Sequence, residues 1–107
     1  MSRTKRKANA AIAGLERKAS EAASLLKLLA NENRLLILCQ LVQSGELSVG
    51  DLADAVGLSQ SALSQHLAKM REERLVATRR EAQTIYYRIE NVDAVRLLST
   101  LKNIYCP

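Results

Sequence analysis

The stretch SVGDLADAVGLSQSALSQHLAKM, residues 48–70, decides the fold because it encodes two short helices on either side of a tight turn. Ser48 followed three residues later by Asp51 is a capping box, which opens a helix that we expect to run to the turn at Gly57. Ser59 can cap a second helix after that turn. Two short helices joined by a few residues that include glycine are the signature of a helix-turn-helix.

Two more helices are predicted before this stretch. From Ala10 onward, apolar side chains recur at three- and four-residue spacing, which is the period of a helix with one buried face. The Asn-Glu-Asn sequence at 31–33 interrupts the pattern and can cap a second helix over Arg34–Gln43, which Gly45 ends. The sequence therefore places helices immediately upstream of the helix-turn-helix.

The period changes after Glu73, where the second helix of the motif is expected to end. Residues 75–80 and 84–89 are rich in β-branched and aromatic side chains and flank a short turn, which predicts a β-hairpin. Asn91 then caps a last helix with apolar positions at helical spacing. We therefore expect a mainly α winged helix-turn-helix of about five helices with a two-stranded wing.

The length and charge of the chain restrict the class of protein to which it can belong. Its 107 residues suit one domain, and we expect a basic flexible tail over 1–9 and a folded domain over 10–107. Sixteen Lys and Arg against eleven Asp and Glu give a net charge of +5, which favours a polyanionic partner. Neither a signal peptide nor a membrane-spanning run of about 18 apolar residues is evident, so we expect a cytoplasmic protein without a membrane partner.

The first and last helices carry apolar stripes, and we expect no further domain to cover them. A second copy of the chain can bury them, so we expect a two-fold homodimer with two recognition helices.

The helix from Ser59 to Met70 carries the DNA-binding hypothesis. Its leucines anchor it to the core, while Gln side chains on the other face can bind adenine through two hydrogen bonds and Ser can bind bases or phosphate. Arginines of the hairpin can contact phosphates or a minor groove. An ordinary solvated surface is the alternative for each position. The candidate DNA contacts are Gln60, Ser61, Ser64, Gln65, His66, Lys69, Arg79, Arg80, Gln83 and Thr84.

No enzyme is indicated by the sequence. His66 is the single histidine, and neither a paired carboxylate motif nor a phosphate-binding glycine loop is present. A zinc site normally needs three or four protein ligands. We therefore expect no catalytic residues, no metal and no cofactor.

Three stretches, 28–35, 58–70 and 86–89, resemble the ArsR/SmtB family of winged-helix repressors, and Ser64-Gln65-His66-Leu67 matches the Ser-x-His-Leu of its recognition helix. The resemblance covers roughly residues 20–107. It implies a dimer that binds a palindromic operator and releases it when an inducer binds.

The sequence departs from the metal sensors of that family. Where they have a Cys-Val-Cys motif, this chain has Ser48-Val49-Gly50, and its last helix has no histidine to serve as a ligand. The resemblance therefore implies no metal site here. The tip of the wing has Ala82 and Gln83 in place of the usual Gly and Arg, which leaves open whether the wing contacts DNA.

The two cysteines, Cys39 in the second helix and Cys106 near the end of the last, resemble those of the BigR/SqrR branch. That branch senses persulfides and oxidants through two cysteines that become joined by a disulfide or polysulfide bridge. The plain alternative for Cys39 is a small core residue. Two rival functions stay open: a repressor that responds to a metal or metalloid through these thiols, and an architectural DNA-binding module without an inducer.

Overall fold

The computed structural model describes residues 12–106, which fall into two compact units divided between Ala30 and Asn31. The first unit contains helix α1 (Ala13–Arg17) and helix α2 (Ala19–Leu29). The sequence predicted a single helix here. Two are present because the backbone of Lys18, with φ of −110° and ψ of 18°, leaves the helical range and separates them.

The second unit contains four helices and a three-stranded sheet. In chain order its elements are α3 (Glu32–Ser44), β1 (Leu47–Ser48), α4 (Val49–Val56), α5 (Gln60–Glu72), β2 (Val76–Glu81), β3 (Thr84–Ile89) and α6 (Val92–Tyr105). The predicted winged helix-turn-helix class is confirmed, with one more helix and one more strand than expected. No helix within residues 12–106 has the length and apolarity needed to cross a bilayer.

Four helices of this unit begin at the capping residues that the sequence indicates. Each cap satisfies a backbone N–H that has no partner inside the helix, and each contributes about 1 kcal/mol. The acceptor and donor pairs are Asn31 Oδ1 with Arg34 N (3.0 Å), Ser48 Oγ with Asp51 N (3.2 Å), Ser59 Oγ with Ala62 N (3.1 Å) and Asn91 Oδ1 with Ala94 N (3.0 Å).

The sheet is antiparallel, with β3 between β1 and β2. Glu81 lies opposite Thr84, so the hairpin closes with the two residues Ala82 and Gln83. On the other edge of β3, Ser48 pairs with Tyr86, and the same serine caps α4. The sequence did not indicate β1, because two residues are too few to show a strand period and the strand exists only through its pairing.

Helix α3 occupies the centre of the second unit, where it packs against α4, α6 and β3, while α4 packs against α5. Within the described part of the chain, every fully buried side chain is apolar. The expected anchors of α5 are among the residues with no exposure at all, which are Ile37, Leu38, Leu52, Leu63, Leu67, Met70, Leu75, Ala94 and Leu98. The core thus fixes α5 by its inner face.

We predict that Ala82→Gly stabilises the fold by up to about 1 kcal/mol. Ala82 has φ of +56°, where a Cβ crowds the following carbonyl. That crowding costs about 1–2 kcal/mol for a residue other than glycine, whereas glycine loses about 0.5–1 kcal/mol through the freedom of the unfolded chain. Urea unfolding of both proteins measures the difference.

The control is Ala77→Gly, which makes the same chemical change near the start of β2, opposite Arg88. It should destabilise the fold by about 0.5–1 kcal/mol because no positive φ is relieved there. Equal losses at both positions would contradict the interpretation of the turn.

Candidate functional site

Helix α5 presents a polar stripe to solvent. Gln60, Ser61, Ser64 and Gln65 are all exposed, whereas the leucines between them are buried. At 100° per residue the four side chains fall within an arc of about 140°. The structure therefore brings together on one face the residues that the sequence proposed as readers of base edges.

Two further candidates on this helix flank the stripe. Lys69 is exposed at its border, and His66 is half-buried on the side nearer the core. Neither side chain forms a hydrogen bond or an ion pair with the part of the chain that the structure describes. Lys69 is the better placed of the two to reach a phosphate, because its long side chain starts from an exposed position.

Arg79 of the wing is held by neighbouring side chains. Its Nη2 lies 2.8 Å from Glu46 Oε1 and its Nη1 lies 2.7 Å from Glu81 Oε2. The guanidinium carbon lies 4.7 Å from the centre of the Tyr86 ring, in the range of a cation–π contact. These contacts connect the segment before β1 to β2 and β3, so the structure gives Arg79 a role in holding the sheet together.

The electrostatics of this cluster agree with its geometry. Hydrogen bonds from Arg79 lower the pKa of the Glu46 carboxyl below its ordinary value, and the positive charge of Arg88 acts in the same direction. The pKa of Arg79 is raised, first by its hydrogen bond to Glu46 and then by that to Glu81. Both partners are therefore ionised at neutral pH.

The remaining wing candidates are exposed. Successive side chains of a strand point to opposite faces, so Arg80 lies on the other face of the hairpin from Arg79. Arg80 forms no ion pair with residues 12–106. Gln83 lies in the turn and Thr84 begins β3, and both are exposed. Arg80, Gln83 and Thr84 thus form the part of the wing that is free to meet a partner.

The two thiols, far apart in the sequence, line one groove between α3 and α6. Cys39 is half-buried on α3, Cys106 is exposed at the end of α6, and no disulfide joins them. The groove has a volume of about 360 Å³. Its other lining residues are Leu35, Leu36, Gln40, Gln43, Leu101, Lys102 and Tyr105.

Three influences act on the Cys39 thiol. Burial raises its pKa most, the nearby Cys106 raises it further, and the ammonium of Lys102 lowers it. The pKa of Cys39 lies above its ordinary value on balance, so the thiol is protonated at neutral pH. Three or more His, Cys, Asp or Glu side chains that could hold a metal ion do not cluster anywhere in residues 12–106.

Sequence reasoning missed two of the residues in these sites. Lys102 lies four residues before Cys106, a spacing that puts both on one face of a helix, so the signal was present. Glu46 offered no comparable signal, because its partner Arg79 reaches it only through the pairing of the sheet.

A helix-turn-helix with an exposed polar recognition helix and a β-wing defines a winged-helix regulator. The family profile described as "Bacterial regulatory protein, arsR family" matches residues 31–78. The chain is 49% identical over 96 residues to the HTH-type transcriptional regulator YgaV of Escherichia coli (strain K12), an alignment that covers 90% of this chain and 97% of YgaV. This protein belongs to the arsR family of bacterial regulatory proteins.

Solved structures agree with this assignment. Reduced HlyU from Vibrio cholerae superimposes with a TM-score of 0.80 at 47% identity, over 88% of this chain and 98% of HlyU. The transcriptional repressor BigR from Xylella fastidiosa gives a TM-score of 0.80 at 41% identity, over 88% of this chain and 95% of BigR. These relatives are regulators of transcription rather than enzymes, and regulators of this family bind operator DNA and usually dimerise.

We predict that Glu46→Gln destabilises the fold at neutral pH and that this difference disappears in acid. The folded-state pKa of Glu46 is lowered from its ordinary value of 4.5, so the ionised carboxylate stabilises the fold above that value. The contribution is lost as the pH falls from 4.5 through the lowered pKa. Thermal unfolding across this pH range measures it.

A matched control is Glu72→Gln, because Glu72 is exposed at the end of α5 and forms no ion pair with residues 12–106. The loss of stability at neutral pH should be smaller than that of Glu46→Gln, because no ion pair within residues 12–106 is removed. If the Glu46→Gln difference persisted unchanged in acid, the ion pair with Arg79 would not be its cause.

Proposed function

We propose that this protein is a transcriptional repressor that holds its operator while its thiols are reduced, and releases it when Cys39 and Cys106 become bridged. The observation that carries the proposal is that both thiols line one groove between α3 and α6. The name of BigR, a transcriptional repressor, supports repression. A second relative is named as the transcriptional activator HlyU, so activation is the alternative to repression.

The DNA-binding half of the proposal rests on α5. Its polar stripe enters the major groove and reads base edges, while Lys69 and the wing residues Arg80, Gln83 and Thr84 contact the backbone. A two-fold homodimer presents two copies of α5 to a palindromic operator with half-sites about 34–36 Å apart. Arg79 stabilises the wing from within in this arrangement, because its charge is already paired with carboxylates.

The sensing half rests on the different environments of the two thiols. Cys106 is exposed and meets the reagent first, whereas Cys39 is half-buried and its raised pKa keeps it protonated, so Cys39 reacts second. The Cys106 thiolate attacks the outer sulfur of a persulfide R–S–SH, and R–S⁻ leaves. Cys39 gives its proton to R–S⁻, and the resulting Cys39 thiolate attacks the inner sulfur of the Cys106 persulfide, so that the bond to the outer sulfur breaks and HS⁻ leaves. The two thiols lose two electrons, and the outer sulfur is reduced to hydrogen sulfide.

The fold supplies a route from the bridge to DNA. A bond between Cys39 and Cys106 ties α3 to the end of α6, and α3 packs against α4, which in turn packs against α5. A small displacement of α3 is therefore passed to the recognition helix. The free energy required is modest, since a hundredfold loss of operator affinity corresponds to about 2.7 kcal/mol, which is within the usual range of coupling between sites.

We predict that replacing Gln60 and Ser64 together by Ala weakens operator binding by about 1–3 kcal/mol per lost base contact. The two side chains are exposed, so the fold and the dimer should be unaffected. Fluorescence anisotropy on operator DNA and on unrelated DNA measures the effect. Only the operator affinity should fall.

Lys69→Ala is the contrasting variant. Loss of one phosphate contact should weaken binding to both DNAs about equally and reduce the dependence of affinity on salt. Operator affinity that survives the Gln60 and Ser64 change would exclude α5 as the reader.

We predict that Cys39→Ser and Cys106→Ser each leave DNA binding by the reduced protein nearly unchanged and abolish its release by persulfide. Gel shifts before and after treatment, with intact-mass spectrometry, measure binding and cross-linking together. The unmodified protein should acquire a bridge within one chain that a reductant removes.

Release of DNA by the treated Cys106→Ser protein, or a bridge that joins only two different chains, would refute the switch. Release by trivalent arsenic or by zinc, without release by persulfide, would favour the metal-responsive alternative.

A further inference from the structure

The groove beside the thiols is larger than a bond between two sulfur atoms requires. Its volume of about 360 Å³ lies within the range of pockets that hold small organic molecules. Leu35, Leu36, Leu101 and Tyr105 provide apolar and aromatic walls. Among the lining residues that the structure describes, Lys102 alone is charged.

We infer that this groove is a binding site for the organic part of a persulfide R–S–SH, with R an apolar group against the leucines and the reacting sulfurs beside Lys102. The inference rests on the proposed function and adds to it the class of molecule that the thiols select. A preference for apolar R follows from the walls, because burial of apolar surface in such a groove is favourable.

The positive charge of Lys102 is opposite to the single negative charge that the reacting sulfur atoms carry at each stage. The negative charge begins on the protein thiolate and passes to R–S⁻ when the bond between the two sulfurs of the persulfide breaks, so the groove holds one negative charge throughout. A cation at a fixed position stabilises that charge before and after its transfer. Lys102 also stabilises the thiolate of Cys39, since it lowers the pKa of that thiol, whereas burial and Cys106 raise it.

Position on α6 gives Lys102 access to both thiols. It lies one helical turn before Cys106, and the two residues share the face that lines the groove. Cys39 lines the same groove from α3. Lys102 therefore lies on the face of α6 that lines the groove, where a bound molecule can reach the sulfur of either cysteine.

The test compares two reagents on the full-length protein: benzyl persulfide, which has an apolar R, and inorganic disulfide, which has no organic group. The rate of intrachain bridge formation is followed by quenching and intact-mass spectrometry. We expect the rate with benzyl persulfide to saturate with concentration and to exceed the rate with inorganic disulfide by about tenfold or more, the scale of discrimination in apolar pockets.

Leu36→Asn makes the wall polar at a residue that is 50% exposed, and it should remove most of that preference, measured as the ratio of the two rates. Ile85→Asn is the control, since it makes the same kind of change at a partly exposed residue of the wing, outside the groove. Lys102→Met should slow both reactions and shift their pH profiles upward, and Lys102→Arg should restore them.

Bridging at equal rates with both reagents, unchanged by Leu36→Asn, would overturn the groove as a substrate site and leave the proposed switch intact. Equal reactivity of Lys102→Met and the original protein would remove the assigned role of the lysine. Failure of the original protein to form a bridge with either reagent would overturn both the inference and the proposed function.

Discussion

The burial of the inner face of α3 is the constraint on which the rest of the second unit depends. Ile37, Leu38 and Leu41 are almost completely buried, and the helix that carries them packs against α4, α6 and β3. Removal of one such side chain typically costs about 2–5 kcal/mol, a large part of the stability of a small domain. The proposed thiol chemistry takes place on a residue of this same helix, so it acts on the element that has the least freedom to move independently.

The features that the sequence predicted correctly are those encoded within a few residues. Ser48, Ser59 and Asn91 each begin a helix where the sequence indicates, because a capping side chain bonds to a backbone group three residues away. The buried face of α5 followed from its apolar spacing for a similar reason. These signals lie within single helices, so the tertiary packing did not have to be known in order to predict them.

The features that the sequence did not reveal depend on contacts between distant segments. Strand β1 is too short to have a recognisable period, and Glu46 meets Arg79 only after β1 has joined the sheet. The resemblance to a family paired Cys39 with Cys106, but the apolar walls and the cation around them emerged only when α3 and α6 were placed side by side. Chemistry that depends on surroundings is therefore the part that sequence patterns reveal least.

Ser48 belongs to two structures at once, since its backbone pairs with Tyr86 in the sheet while its hydroxyl caps α4. The Glu46–Arg79 ion pair fastens the preceding residues to the same sheet. The sheet of the wing and the start of α4 are therefore joined without a linker. If the wing tilts, the first residues of α4 move with it. In the DNA complex that we propose, the fold therefore fixes the distance, within one half-site, between the bases that α5 contacts and the backbone that the wing contacts, whatever the sequence of the DNA.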